Sequence, residues 1–141
     1  NYGAKEISRV QQTWKILLPT GISITLLGTL LFWIFPSQLL QLFSASSAML
    51  TLGIPALRII SVSFALASVT ILCGYFASGL GNGVINMVSA AIRQLVLLVP
   101  CLWILIQTAG ISYGWYAFWF AEIVACTYSY FSARKSLKRI R

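Results

Sequence analysis

Arg93 and Glu122 are the residues with which this sequence could do chemistry out of water. Each stands inside an apolar run, "SAAIRQLVLLVP" from Ser89 to Pro100 and "AEIV" from Ala121 to Val124. A carboxylate in such a setting marks an ion or proton path, or else it is the structural counter-ion of a neighbouring cation. The chain has only two acids and no histidine. Hydrolytic dyads, histidine triads and most metal cages therefore lack their raw material, and neither an enzyme nor a metal site is expected. Cys73, Cys101 and Cys126 lie in separate apolar runs, a spacing that fits neither a zinc site nor a disulfide framework, so they read as buried, inert thiols.

The elements that hold this pair must be membrane helices. The chain is 59 % hydrophobic and 9 % charged, with a mean hydropathy of +0.87, whereas soluble domains carry about 25 % charged residues. An all-α integral membrane protein follows, with residues 1–141 as one membrane region. About 20 apolar residues make a helix long enough for a hydrocarbon core, and all its peptide groups must be bonded internally. Four runs meet that length, at residues 16–35, 55–78, 86–106 and 113–133. Pro19 lies one turn into the first and is expected to kink it. Pro55 suits the first turn of the second, where Arg58 can snorkel outward. "SQLLQLFSASSAMLTLG" is too polar to span, but Leu39, Leu40, Leu42 and Phe43 suit a short interfacial helix. "GLGNG", residues 79–83, has neither a preceding strand nor a following Lys-Ser or Lys-Thr, so it is a tight turn rather than a phosphate loop.

Charge sets the orientation. Lys5, Arg9 and Lys15 precede the first run, and Arg134, Lys135, Lys138, Arg139 and Arg141 follow the last. Both ends are therefore expected in the cytoplasm. The basic tail "ARKSLKRIR" reads as a membrane-surface anchor rather than a nucleic-acid patch, because it follows an apolar segment and lacks stacking aromatics. Trp103, Tyr113, Trp115, Tyr116 and Trp119 gather around the short loop "QTAGIS" as an outer aromatic belt.

Helices in lipid associate through small residues and hydrogen bonds. Ala117, Ala121, Ala125, Ser129 and Ala133 recur every four residues as one packing face, and Thr70, Gly74 and Ser78 form a shorter one. Measured from the cytoplasmic side, Arg93 lies about 14 Å deep and Glu122 about 16 Å. Measured from the outer loop they mismatch by about 7 Å. Pairing across the third and fourth spans is the expectation, because either charge buried alone costs about 2.5–3.5 kcal/mol. Pro19 and Pro100 each free a carbonyl and are candidate hinges.

The succession "NYGAK", "PALRIISVSFA", "GLGNG", "IRQLVLLVP" and "AEIV" resembles the C-terminal part of the multidrug and toxic compound extrusion (MATE) transporters. The resemblance implies helices nine to twelve of a twelve-helix protein built as two six-helix lobes, in a bacterial inner membrane. It implies a secondary antiporter that exports amphipathic, often cationic drugs in exchange for sodium ions or protons. Its partners would be the lipid bilayer, the remaining transporter helices and the drug, with no nucleic acid and no cofactor.

The sequence departs from the family pattern where the second span lacks an acid and where Ser78 replaces an expected glutamine. No family cation-site residue carries over, and the coupling-ion site is expected outside this stretch. The start at Asn1, without an initiator Met or signal-peptide pattern, reads as a piece of something longer. Other readings of the same residues are a lipid-linked oligosaccharide flippase of the same superfamily, a complete four-span transporter sharing Glu122 in an oligomer, and a non-transporting four-helix scaffold subunit.

Overall fold

The computed structural model describes residues 1–139, all of whose regular structure is helical. Arg141, counted above in the basic tail, lies outside the described residues. The elements are α1 (Ile7–Ile34), α2 (Pro36–Gln41), α3 (Ser47–Val62), α4 (Phe64–Gly79), α5 (Gly83–Ala91), a π-helical segment (Ile92–Leu98), α6 (Val99–Ala109), α7 (Ile111–Gly114) and α8 (Ala117–Arg139).

The side chains are sorted as lipid requires. Leu27, Leu30, Leu31 and Ile24 of α1 are more than half exposed, while the largest fully buried side chains are Cys73, Ser61, Ser89 and Ser129. A water-soluble core has the opposite order, with its large aliphatics inside. Where the solvent is hydrocarbon, the large side chains face outward and the small ones set how close the helices come. By length and apolar content, α1 and the continuous stretch Gly83–Ala109 can each cross a membrane, and α3 and α4 together make a third, broken candidate. Helix α8 is 23 residues long, about 35 Å. Its Glu122, its hydroxyl-bearing residues and its basic final turns make it more polar than the others.

Local chemistry explains most boundaries. Helix α1 runs unbroken through Pro19 and ends at Phe35, since a residue before proline is pushed out of helical geometry. Pro36 then opens α2, where its missing N–H costs nothing. Leu42 and Phe43, just past α2, are about four-fifths exposed.

The turn at 79–83 closes as a Schellman motif. Asn82 N–H donates to Ala77 O and Gly81 N–H to Ser78 O, both at 2.9 Å, with Gly81 at φ +84. Beyond it α5 packs back on α4 at Gly74, where an added Cβ would collide with the Asn86 side chain.

Three expectations need correction. Pro55 does not open a helix. The Ser46 hydroxyl accepts Met49 N–H and starts α3 at Ser47, leaving Pro55 in the helix interior. The span placed at 55–78 is not one rod, because α3 and α4 meet at Ser63 with a bend of 50°. The last span does not run straight from Tyr113. The four-residue α7 turns first and buries Gly114 against α6, where a Cβ would lie 2.9 Å from Ile106 and 3.1 Å from Leu102.

Gly81→Ala should cost about 1–2 kcal/mol, because an L side chain is strained at that positive φ. Equilibrium unfolding of the purified protein in detergent measures it, and an unchanged midpoint would remove the Schellman turn as a determinant of the hairpin.

Candidate functional site

The site is organised by a broken helix. A backbone break within the apolar layer frees carbonyls that no water can satisfy, and each costs several kcal/mol if left bare (about 2–7). At the break, Ser63 N–H turns to Ile60 O at 2.9 Å and so deserts Ile59 O, its partner in a regular α-helix. The Trp119 indole N–H of α8 reaches across and donates to Ile59 O at 2.7 Å. Thr29 of α1 donates to Ser61 O at 2.8 Å, Trp33 of α1 donates to Arg58 O at 3.1 Å, and the Ser63 hydroxyl donates to Ile60 O at 2.7 Å. Two neighbouring helices thus clamp the end of α3. Trp119 belongs to this clamp rather than to the outer belt, whereas Trp103 and Tyr113 are well exposed.

The π segment approaches the break from the other side. Val99 N–H bonds Gln94 O, five residues back, so the helix is locally wider just before Pro100. A wider turn is one way a membrane helix accommodates a proline that cannot donate. Arg93 and Gln94 sit on this turn.

Helix α8 supplies the acid. Ala117, Ala121, Ala125, Ser129 and Ala133 are all buried, at 1 % exposure or less, and α8 packs chiefly on α4 and the π segment. The Ser129 hydroxyl bonds that of Ser89 on α5. This close seam carries Glu122 inward, one position beyond Ala121, to 7 % exposure.

Arg93 Nη1 lies 3.3 Å from Glu122 Oε1, and the Thr70 hydroxyl of α4 donates to Oε2 at 3.3 Å. Both carboxylate oxygens have a partner, while the buried Arg93 Nε has none among the described residues. A cavity of about 240 Å³ opens beside the pair, lined by Ser63, Arg93, Gln94, Phe118 and Glu122 among others.

The remaining sequence candidates fall elsewhere. Pro19 and Pro100 are exposed on their helices. Gly74 serves the contact of α4 with α5. Cys73, Cys101 and Cys126 are free thiols. No group of three or more His, Cys, Asp or Glu gathers among the described residues. Sequence reading missed the bend at Ser63 and the Thr70 contact. The signal for the bend was Ser61 and Ser63 in "SVSF", whose hydroxyls bond Arg58 O and Ile60 O, since serines that bond the preceding turn often bend helices.

Comparison with known proteins follows the geometry. The family model described as MatE matches residues 1–104, a stretch that includes Arg93 and stops short of Glu122. No curated protein matches. Among solved structures, the crystal structure of a Vibrio cholerae MATE transporter, VcmN, in the bent form superposes with a TM-score of 0.87 at 23 % identity. The match covers 98 % of this chain and 32 % of that one, so the chain spans about a third of its length.

Reversing either charge alone, Arg93→Glu or Glu122→Arg, should destabilise the protein more than reversing both, with a coupling of about 0.5–3 kcal/mol in a double-mutant cycle. Equal damage from the single and double reversals would end the pairing argument. Trp119→Phe should cost about 1–3 kcal/mol in detergent unfolding, because it strips the donor from Ile59 O while keeping an aromatic ring.

Proposed function

Since the chain belongs to the MatE family, a family of transporters rather than of enzymes, we propose that it supplies part of one lobe of a secondary antiporter. The cargo is an amphipathic, cationic drug, exported in exchange for sodium ions or protons across a bacterial inner membrane. In this reading the chain crosses the membrane four times, with α8 as the last crossing and both ends cytoplasmic.

One observation carries the reading. A part-buried ion pair stands beside a broken helix inside a bundle whose outer surface suits lipid. Discontinuous helices with polar groups at their broken ends are how transporters build a central site in an apolar layer. A plain scaffold needs no such break, and breaking a helix there is costly.

Within that function the Arg93–Glu122 pair is a fixed clamp, and the coupling ion binds elsewhere in the transporter. Glu122 is paired with Arg93, and a carboxylate whose charge a neighbouring cation offsets attracts a further cation less. Among the described residues Arg93 is the one cation lining the cavity beside the pair, and Glu122 offsets it. That balance disfavours a flippase for large anionic lipid-linked sugars, whose pathway would need surplus positive charge.

The test is drug movement into membrane vesicles carrying the transporter that contains this chain. A sodium or proton gradient should drive a fluorescent cationic drug. Glu122→Gln should reduce the amount of folded transporter while the surviving molecules keep their ion dependence. Loss of ion dependence at normal folded levels would make Glu122 the coupling site instead. Gradient-driven transport by this chain alone would overturn the reading of it as part of a lobe.

A further inference from the structure

The two ends of the chain meet in a feature that the transport reading does not use. A cleft of about 190 Å³ is lined by Gln11, Trp14 and Lys15 of α1 and by Arg134, Leu137 and Lys138 of α8. Its cations come from segments more than a hundred residues apart, so tertiary folding rather than a charge run in the sequence brings them together.

The cleft wall is ordered by aromatic packing. The Trp14 ring lies 4.8 Å from that of Phe76 on α4 and 6.1 Å from that of Tyr130 on α8. This fixes the turn of α1 that carries Lys15 against the turn of α8 that leads to Arg134. Among the described residues no acid lines the cleft. The chain has only two acids, and Arg93–Glu122 is the one ion pair among the described residues. Lys15, Arg134 and Lys138 thus line one cleft with no acid beside them among the described residues.

Three cations lining one cleft give it a positive potential that attracts an anion. The last turn of α8 already favours cations through its dipole, which accounts for Lys138 but not for Lys15 on another helix. The position supplies the ligand class. The cleft sits at the end of the apolar bundle, where Trp14 marks the interface and where lipid headgroups lie. Basic pockets between helices at that level suit anionic headgroups.

We propose that this cleft binds the phosphate headgroup of an anionic phospholipid, held between Lys15 of α1 and Arg134 and Lys138 of α8. The phosphate bridges the two helices and offsets their positive charge, while Trp14 lies at the level where headgroup gives way to acyl chain. The recognised chemistry is a phosphodiester headgroup of net negative charge, and its source is the bilayer.

The experiment is a thermal-stability titration of the purified protein in neutral detergent with phosphatidylglycerol, phosphatidylcholine or inorganic phosphate. Phosphatidylglycerol should raise the midpoint saturably, and the other two should not. The triple variant Lys15→Gln, Arg134→Gln, Lys138→Gln should bind phosphatidylglycerol at least about tenfold more weakly, since each cation near an anionic headgroup contributes to affinity. Lys15→Gln alone should weaken binding as Arg134→Gln does, which a contact made only by the basic tail does not predict.

A control variant, Lys5→Gln with Arg9→Gln, removes charge at the same end of the bundle outside the cleft and should bind normally. Equal losses in the triple and control variants would reduce the site to general surface charge and overturn the proposal. Equal stabilisation by inorganic phosphate would overturn the lipid assignment. A shift with an acidic peptide but none with phosphatidylglycerol would replace it with a protein partner.

Discussion

A peptide carbonyl with no partner is tolerable at a surface and expensive in hydrocarbon, and the arrangement around Ser63 is shaped by that difference. The bend between α3 and α4 redirects one amide and leaves Ile59 O to be satisfied from another helix. Trp119 does so from α8, while Thr29 and Trp33 secure the adjacent carbonyls from α1. The break and its clamps are interdependent. The bend leaves Ile59 O free, and the donors from α1 and α8 offset part of its cost.

The same constraint accounts for the ion pair. Trp119 and Glu122 are three residues apart on α8 and so lie on neighbouring parts of one helix face. Seating the indole on the end of α3 delivers the carboxylate to Thr70 on α4 and to Arg93 on the widened π turn. The approach is close enough because the facing surface of α8 is alanine and serine, buried almost without residue. In lipid, where burying large apolar side chains brings little gain, such small faces and a few polar bonds are what hold helices together. Polar satisfaction and close packing here are two aspects of one interface.

The likeness to the Vibrio cholerae transporter extends over nearly the whole chain at low identity, which is what this physics leads one to expect. The large lipid-facing residues need only be apolar, so many sequences suit the same bundle. The positions that fix the geometry are few: a glycine at positive φ, a small-residue ladder and the donors at the break.

The sequence by itself determined the solvent, most of the apolar runs, the turn at "GLGNG" and the small face of α8, because each rests on composition or spacing along a single helix. It also narrowed the chemistry to Arg93 and Glu122, since there was little else with which to do any. Depth counted from the two ends disagreed by several ångströms, and only the fold shows the two groups 3.3 Å apart. The bend at Ser63, the start of α3 ahead of Pro55 and the inward turn of Trp119 were decided by tertiary structure. Each depends on a donor or cap meeting an acceptor on another element or across a turn, and such a meeting leaves no period in the chain to be read.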